Sequence, residues 1–412
     1  MLVLKSILRN MVRVGTLTVI DAKGKPYVFA GESGPAVTIR LHDRRIPWGL
    51  ALMPSLAAGE GYMDGRLTVD GGTIYDFLAL MSQNMEVGGL NRIQAIWEIT
   101  GSFFKRFQQF NPAGRAKKNV AHHYDLSSDL YELFLDRDKQ YSCAYFVSPE
   151  TDLETAQEHK KRHLAAKLLI SPGQRILDIG SGWGGMGLYL ARKTGAFITG
   201  VTLSEEQLQV SQERAEKEGL ADQVAFHLRD YRAQTGTFDR IVSVGMFEHV
   251  GVGFYPHYFG KMKELLADNG IAVLHTIGRS GPPNVTDPWI RKYIFPGGYV
   301  PSLSEVTPVI ERSGLVITDI EFIGPHYART VRAWRKRFRA NWNKVREIYD
   351  ERFCRMWEFY LASSEIAFRH LGLTVFQIQM AHSHMAVPPT RDYISRLENK
   401  IGETAYEKSG IA

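Results

Sequence analysis

The sequence predicts an α/β protein in which a seven-stranded, doubly wound sheet follows a small α+β domain. From residue 175 onward, seven short apolar segments alternate with helical patterns, and strands separated by helices build parallel-rich sheets. The first of these segments stops at a cluster of glycines, as the ligand-binding turns of such sheets do. The first 90 residues differ, because short alternating strand patterns precede an amphipathic helix there.

The chain begins with an apolar segment that three basic residues interrupt. Lys5, Arg9 and Arg13 recur every four positions, so on a helix they would lie along one side. The segment lacks the long apolar centre and the cleavage site of a secretory signal. A weakly interfacial helix and a helix that packs on its own domain both fit this pattern.

The following residues predict the small α+β domain. Residues 15–70 alternate apolar and polar side chains around turns, with a glycine-rich interruption at 59–65 before Leu67–Asp70. An amphipathic helix at Thr73–Gln83 completes the pattern. We assign residues 1–90 to this domain and residues 121–412 to a second one. Between them, residues 91–120 form a predicted linker around a short apolar helix at Ile93–Phe107.

The second domain is predicted to contain the seven-stranded sheet. Ligands of such sheets bind beyond the carboxyl ends of the strands, where the strand order switches. Two helical insertions, at 279–301 and 326–372, interrupt the alternation and are expected to act as lids over a substrate. The predicted strands are Arg175–Ile179, Phe197–Val201, Val224–Leu228, Phe238–Val244, Ile271–Thr276, Val316–Ile323 and Thr374–Ala381.

The glycine cluster, in the segment QRILDIGSGWGGMG at 174–187, indicates a nucleotide-like cofactor. Glycine lets backbone approach a ligand, and the helix start that follows supplies free N–H groups. A dinucleotide site would space its glycines G-x-G-x-x-G and place an acid about 20 residues later, but the second strand ends in Thr202, Leu203 and Ser204. Asp178, inside the turn itself, is typical of Rossmann-like S-adenosylmethionine (SAM) methyltransferases. A dehydrogenase and a tight turn without a ligand are the alternatives.

Composition is compatible with these enzyme classes. The 412 residues, 44% of them hydrophobic, are enough for two or three domains. Cys143 and Cys354 are the only cysteines, which excludes a disulfide framework. No window approaches the roughly 18 apolar residues that a membrane span needs. We therefore expect a soluble protein of the reducing cytosol.

Seven motifs, taken together and in order, closely resemble those of cyclopropane-fatty-acyl-phospholipid synthases. They cover about residues 120–385, and mycolic acid cyclopropane synthases are similar at a greater distance. The first 90 residues resemble, more loosely, the sterol-carrier-like domain that precedes the catalytic domain in bacterial members. Ser181 departs from the cysteine of many relatives, which is a small, conservative change. The motifs are HHYDLSSDLYELFLD, QYSCAYF, LDIGSGWGG, GVTLSEEQ, FDRIVSVGMFEHVG, LHTIG and HYARTVRAW.

The resemblance implies transfer of the SAM methyl group to a cis double bond of a phospholipid acyl chain, then proton loss and ring closure. Such a reaction passes through a carbocation, so it needs a dry pocket, aromatic faces and a base. In this family the base is a bound bicarbonate ion, and no metal is expected. The implied catalytic positions are Cys143, Glu248, His275, the backbone of Ile277 and Tyr327.

The same resemblance implies roles within these two sites. Glu248 is expected to hold the bicarbonate hydroxyl, while His275 and Tyr327 donate hydrogen bonds to the anion. Thr202 and Gln207 are expected to bond the ribose hydroxyls that an acid normally takes. The implied cofactor positions are Tyr141, Ser142, Asp178, Gly180, Gly182, Gly184, Thr202, Leu203, Ser204, Gln207, Asp230 and Tyr231.

A further motif precedes the sheet. The resemblance implies that His123, Tyr124 and Asp125 close over the cofactor or line the reaction pocket. A capped helix that starts near Asp125 or Ser127 would account for part of this motif without any ligand.

Residues 329–352 predict how the enzyme reaches its substrate. They contain nine basic and three acidic residues, interleaved with aromatic residues such as Trp334, Phe338 and Trp342. This pattern is typical of an interfacial helix attracted to anionic lipids. We therefore expect a homodimer that acts on unsaturated phospholipids at the inner face of the cell membrane.

Several alternatives stay open at this point. The basic segment could be a solvated face over a core, or it could bind nucleic acid, although no nucleic-acid-binding motif accompanies it. A non-cyclising C-methyltransferase of unsaturated acyl lipids would use the same sites. An inactive lipid-binding module would use only the first domain.

Overall fold

The computed structural model describes residues 1–88 and 127–403. These residues form two compact units. The first comprises 1–88, 284–296 and 328–373, and the second comprises 127–283, 297–327 and 374–403. The predicted linker, its helix at Ile93–Phe107, and the candidate residues His123, Tyr124 and Asp125 lie outside the described residues.

The first unit is built on a four-stranded sheet. The strands lie in the order β2-β1-β3-β4, with β1 antiparallel to β2 and parallel to β3, and β3 antiparallel to β4. Alternate residues of β1 and β3 are buried, as the sequence pattern predicts. The elements are α1 (Leu2–Met11), β1 (Val14–Ile20), β2 (Pro26–Ala30), β3 (Glu32–Leu41), α2 (Ile46–Leu52), α3 (Pro54–Met63), β4 (Leu67–Gly71) and α4 (Ile74–Gly88).

The glycine-rich segment at 59–65 is not the interruption that the sequence predicts. Gly59 and Gly61 are buried within α3, and a Cβ on Gly59 would lie only 2.3 Å from the indole Nε1 of Trp289. Tight packing of a tryptophan on this helix therefore requires glycine there. Only Gly65, with φ of +68°, makes a turn.

The two helical insertions complete the core of this first unit. Trp289 is fully buried, with its ring centroid 4.7 Å from that of Phe359. The hydroxyl of Tyr62 donates to Glu358 Oε2 (2.5 Å). These contacts join distant parts of the sequence into one packed body. The helices involved are α10 (Pro288–Tyr293), α12 (Gly324–Ala340, of which residues 328–340 belong here), α13 (Trp342–Ile348) and α14 (Glu351–His370).

Several large aromatic residues of these helices face this core. Trp334, Phe338 and Trp357 are 0–1% exposed. Much of the apolar side of these helices is therefore packed, although Ile348 is 41% exposed. The same helices expose charge, carried by Arg332, Lys336, Lys344 and Arg346.

The second unit contains the predicted seven-stranded sheet, in the order β10-β11-β9-β8-β5-β6-β7. The four pairs β9–β8, β8–β5, β5–β6 and β6–β7 are parallel, whereas β10 and β11 pair antiparallel. The fold prediction is confirmed, and β5, β7 and β8 have the predicted bounds. The strands are β5 (Arg175–Ile179), β6 (Phe197–Thr202), β7 (Val224–Leu228), β8 (Phe238–Val244), β9 (Leu266–Arg279), β10 (Val316–Phe322) and β11 (Leu373–Ala381).

Helices cover both faces of this sheet. Leu177 and Ile179 belong to one apolar cluster and Ile176 to another, as expected when successive strand residues point to opposite faces. The strand order switches at β5, which lies between β6 and β8, so a ligand site is expected beyond its carboxyl end. The helices are α5 (Ser128–Glu132), α6 (Leu153–Lys167), α7 (Gly185–Thr194), α8 (Glu205–Lys217), α9 (Tyr255–Leu265), α11 (Leu303–Ser313) and α15 (Asp392–Glu403).

A membrane span would need a long, strongly apolar helix. Among residues 1–88 and 127–403, none of the helices has that combination.

Candidate active site

The glycine turn after β5 has the open backbone that a cofactor needs. Gly180, Gly182 and Gly184 have φ of +83°, +53° and +83°, in the region that favours glycine. A Cβ on Gly180 or Gly184 would lie 2.8 Å from a neighbouring side chain, whereas one on Gly182 would meet nothing within 4 Å. The outer two glycines thus serve packing. The middle one leaves space for a ligand.

A cavity lies beyond the carboxyl ends of β5, β6 and β8, as the switch in strand order predicts. Of the twelve candidate cofactor residues, only Gly184 and Ser204 do not line it. Ser204 instead caps α8, where its hydroxyl accepts from the N–H of Gln207 (3.3 Å). The candidates that line the cavity are Tyr141, Ser142, Asp178, Gly180, Gly182, Thr202, Leu203, Gln207, Asp230 and Tyr231.

Asp178 gives this cavity a buried acidic group with one unsatisfied oxygen among the described residues. It is 1% exposed, and its Oδ2 has no hydrogen-bond partner within the described parts of the chain. Burial raises the pKa of this carboxyl to about 7. A cationic amino group of a ligand would supply the missing partner and return the carboxyl to its charged form. The residue therefore fits the ammonium group of SAM.

Two other sets of side chains prepare the cavity for a nucleoside. The hydroxyl of Thr202 donates to Gln207 Oε1 (2.9 Å), which orients the Gln207 amide. Asp230 is held by the guanidinium of Arg232, at 2.8 Å and 2.5 Å from its two oxygens. Fixed rotamers of this kind reduce the entropy that binding must overcome.

A clamp from α6, which the sequence analysis missed, holds the segment that carries Tyr141 and Ser142. The ammonium of Lys160 donates to Gln140 Oε1 (2.5 Å) and to Ser142 Oγ (2.8 Å). The amide of Gln157 donates to the carbonyls of Gln140 (3.1 Å) and Ser142 (3.0 Å). Lys160 is 0% exposed, and burial lowers its pKa to about 8. A polar side chain that is fully buried needs hydrogen bonds of this kind. The sequence does not show that Lys160 is buried, so it did not indicate this role.

Glu248 is the central group of the predicted anion site. It lies on a short 3₁₀ turn, Phe247–His249, just after β8. Its Oε1 accepts from the N–H of Ile277 (2.6 Å), whereas its Oε2 is buried and has no partner among the described residues. Burial raises the pKa of Glu248 to about 7. One carboxylate oxygen is thus fixed, and the other remains available to a ligand.

His275, on β9, is buried in its neutral form. It is 2% exposed, and burial lowers its pKa well below the ordinary value. The Nε2 of Gln377 lies 3.2 Å from His275 Nδ1. An amide N–H that donates to Nδ1 requires the ring proton on Nε2, which is then free to donate to a ligand. Sequence analysis missed Gln377, although a glutamine within the apolar strand VFQIQMA was a signal.

Among the described contacts, Cys143 and Tyr327 are linked to the ends of β8 and β9 through neighbouring residues. Cys143 Sγ is 3.9 Å from the carbonyl of Ile323, at the start of the segment that leads to Tyr327. The N–H of Gly245, which follows β8, donates to the carbonyl of His275 (2.9 Å), and its Cβ position would be 4.0 Å from Ser142. These links run from Cys143 to the ends of β8 and β9.

None of the four side chains faces bulk solvent. The exposed fractions of Cys143, Glu248, His275 and Tyr327 are 1%, 8%, 2% and 8%. The backbone of Ile277, expected to serve the anion, donates its N–H to Glu248. Ile277 therefore positions the carboxylate. The described residues contain no cluster of three or more metal-ligating side chains.

Comparison with known proteins identifies the family of this site. The family model described as mycolic acid cyclopropane synthetase matches residues 112–378. This chain belongs to that family. Members of the mycolic acid cyclopropane synthetase family with this fold are SAM-dependent methyltransferases, and the chain is accordingly an enzyme of that class.

Individual relatives agree with this assignment. A cyclopropane-fatty-acyl-phospholipid synthase of Escherichia coli is 40% identical over 324 residues, which cover 79% of this chain and 82% of the relative. A probable fatty acid methyltransferase of Pseudomonas putida is 33% identical over 380 residues, which cover 88% of this chain and 92% of the relative. The crystal structure of mycolic acid cyclopropane synthase CmaA1 complexed with SAH and CTAB is 30% identical, with a TM-score of 0.61. That match covers 66% of this chain and 99% of CmaA1.

We expect Gly182→Val to weaken binding of S-adenosylhomocysteine at least about tenfold, because a branched side chain would fill the open side of the turn. Calorimetric titration would measure the affinity. Gly219→Val is a matched control, since Gly219 also has a positive φ (+65°) and open space but does not line the cavity. Equal losses in the two variants would show that backbone strain, and not the cofactor, explains the effect.

We expect Glu248→Gln to change the pH dependence of stability. The folded pKa of Glu248, about 7, exceeds its ordinary value of 4.5, so the folded protein holds a proton that the unfolded chain releases. The free energy of unfolding therefore falls as pH rises through this window. Glutamine does not titrate, so this loss is absent from the variant. Between acidic pH and about pH 8, the free energy of unfolding of the variant should therefore rise by about 1–3 kcal/mol relative to that of wild type. Urea unfolding at both pH values measures the gain, and parallel pH profiles would contradict it.

Proposed function

We propose that the enzyme transfers the methyl(ene) carbon of SAM to the cis double bond of unsaturated acyl chains in phospholipids and closes a cyclopropane ring. The observation that carries the proposal is the buried Oε2 of Glu248, which has no partner among the described residues. Glu248 itself does not line the cofactor cavity, but the adjacent His249 does. Simple cofactor binding gives no reason for such an oxygen. A buried anion that shares a proton with Glu248 does.

The lining of the cofactor cavity is suited to hold SAM. SAM supplies the electrophilic carbon when it is bound. Asp178 would accept from the SAM amino group, Gly182 would leave room for the cofactor, and Thr202 with Gln207 would bond the ribose. Trp183, Tyr231 and Phe254 also line the cavity and present aromatic surface. Aromatic faces stabilise nearby positive charge, which both the sulfonium and a carbocation carry.

The anion-site residues are suited to hold bicarbonate as the base. Two anions would repel each other, but a Glu248 carboxyl whose pKa is about 7 retains a proton that both can share. The neutral His275 then donates from Nε2, and the hydroxyl of Tyr327 donates as well. Cys143, which is 1% exposed, is proposed to complete this site. When bound, bicarbonate would supply the base for loss of a proton from the transferred methyl group, and the electron pair of that C–H bond would close the ring.

The decisive experiment supplies methyl-labelled SAM and an unsaturated phospholipid to the purified protein. We expect label in the lipid and high-field cyclopropane protons in the NMR spectrum of the product. Removal of dissolved bicarbonate should slow turnover, and its return should restore it. Unlabelled lipid would favour the alternative of a lipid-binding module without catalysis.

Non-cyclising methylation is the second candidate function. The Pseudomonas putida relative, at 33% identity over 88% of this chain, has the description of a probable fatty acid methyltransferase. The same cofactor and anion sites would serve that reaction. It would differ from cyclopropane formation only in the carbon that loses the proton after methyl transfer. A labelled product with retained vinylic or newly branched methyl signals, and without cyclopropane protons, would select this function.

We expect Glu248→Gln to lower kcat severely, by about 100-fold or more, while the affinity for S-adenosylhomocysteine changes little. The amide can still accept from Ile277, but it cannot share a proton with an anion. Steady-state kinetics and calorimetric titration separate the two effects. Loss of cofactor binding in this variant would contradict the division of the site into two parts.

We expect Gln377→Leu to lower kcat about tenfold or more, because leucine no longer fixes the ring proton of His275 on Nε2. The nitrogen chemical shifts of His275 report this tautomer directly, and cofactor affinity should stay unchanged. Gln377→Glu, which would accept from Nδ1–H and favour the opposite tautomer, should be no better than leucine. Unchanged nitrogen shifts in Gln377→Leu would show that the side chain has no such role.

Substrate access is proposed to involve an anionic membrane surface, with the enzyme bound as a homodimer to the inner face of the cell membrane. The exposed Arg332, Lys336, Lys344 and Arg346 support this, since none forms an ion pair within the described residues. Each such residue contributes on the order of 1 kcal/mol near anionic lipid. Vesicle sedimentation should therefore weaken steeply with salt. Binding that is insensitive to salt would argue against this part of the proposal.

A further inference from the structure

We propose that the outward face of α2 inserts into the interfacial layer of an anionic lipid bilayer and anchors the enzyme there. This α2 surface consists of Arg44, Arg45, Trp48, Leu52 and Met53. The choice of a bilayer as partner rests on the proposed function, whereas the location rests on the geometry of α2. Its residues are not those of the basic segment of α12 and α13, in which Trp334 and Phe338 are buried.

Large apolar side chains are grouped and exposed on α2. Trp48 is 57% exposed, Leu52 is 58% exposed and Met53 is 38% exposed. Trp48 and Leu52 are four residues apart, which places them on the same face of the helix. A single exposed apolar residue is ordinary, but adjacent ones are typical of an interaction surface. Tryptophan in particular prefers the layer between lipid headgroups and acyl chains.

The opposite face of α2 fixes this surface on the first unit. Ile46, Pro47 and Ala51 are buried, so the helix is anchored along its length. Gly49 allows close approach to α3, because a Cβ there would lie 2.9 Å from that of Ala57. A small rotation of α2 therefore cannot bury the exposed residues, and they remain in contact with solvent.

The charges around the exposed residues match an anionic partner. Arg44 and Arg45 directly precede α2, are exposed, and make no ion pair with any described residue. The single acid in this stretch, Asp43, already accepts from the N–H of Arg45 (2.8 Å) and lies 3.6 Å from the guanidinium of Arg66. Lipid phosphates would lie at the level of Arg44 and Arg45 when Trp48 and Leu52 are inserted.

A bilayer explains these features better than a second copy of the chain. Self-association through this face would bring arginines near their own copies without an unpaired acid to compensate. A stable dimer also buries about 20–30 residues on each side, many more than the five of the α2 surface. The neighbouring helix α1 extends the apolar character, with Leu2 86% exposed and Val3 45% exposed, while Leu4 and Leu8 are buried.

The test places an environment-sensitive nitrobenzoxadiazole label at position 52 through Leu52→Cys. Both native cysteines are buried. Wild-type protein treated with the same label is the control for any reaction at those two cysteines. With vesicles of phosphatidylglycerol and phosphatidylcholine, we expect a blue-shifted label that nitroxide lipids quench. A label that stays water-exposed while the protein sediments with vesicles would overturn the proposal.

Substitutions test the same surface without a label. The double variant Trp48→Ala/Leu52→Ala should weaken vesicle binding about tenfold or more, and Arg44→Gln/Arg45→Gln should reduce the preference for anionic vesicles. Val28→Ala is the matched control, because Val28 is 64% exposed but alternates with the buried Phe29 along β2. It therefore lies on the other face of the sheet. An equal loss in Val28→Ala would overturn the assignment.

Two further readouts separate this proposal from its alternatives. If light scattering shows that Trp48→Ala/Leu52→Ala converts a dimer to a monomer without lipid present, the α2 surface is a self-interface and the proposal fails. Methyl transfer to detergent-dispersed phospholipid should persist in this variant, whereas transfer to vesicle lipid should fall. Vesicle binding through α2 without any methyl transfer by wild type would sink the proposed function and leave the anchor standing. Full methyl transfer to vesicle lipid by the variant would overturn the α2 anchor and leave the proposed function standing.

Discussion

The buried carboxylate of Glu248 is the constraint on which the candidate site depends. A buried polar oxygen without a partner costs about 1–3 kcal/mol, more when it is charged, and the protein lowers this cost by protonation, since the pKa of the group rises to about 7. The N–H of Ile277 fixes the other oxygen. This arrangement is poor for stability and suitable for an anion, as expected when a site is preorganised for its ligand.

The rest of the second unit positions groups around that carboxylate. The strand order brings the ends of β8 and β9 together, so that Gly245 bonds to His275 while Glu248 bonds to Ile277. From one side, α6 holds the segment before Cys143 through Lys160 and Gln157. These partners do not contact the proposed reacting atoms, but they decide where the contacting groups lie.

The first unit illustrates a different use of the same physical forces. Its added helices bury Trp334, Phe338 and Trp357 in the core of this unit. Short domains bury a small share of their surface, so added helices supply apolar area that they lack. As a result, much of the apolar side of the segment that looks most amphipathic in the sequence is packed. A group of exposed apolar residues lies on α2 instead.

The sequence by itself determined the α/β class, the seven strands and the glycine turn, because alternating apolar segments and glycines at positive φ are local requirements. The motifs also indicated the family and the residues of both candidate sites. Only the tertiary structure decided which amphipathic helices face a core, because periodicity marks an apolar face without naming what covers it. It also decided the roles of Ile277, Gln377 and Lys160, whose bonds join residues distant in the chain. Such partners follow from packing, which no local pattern records.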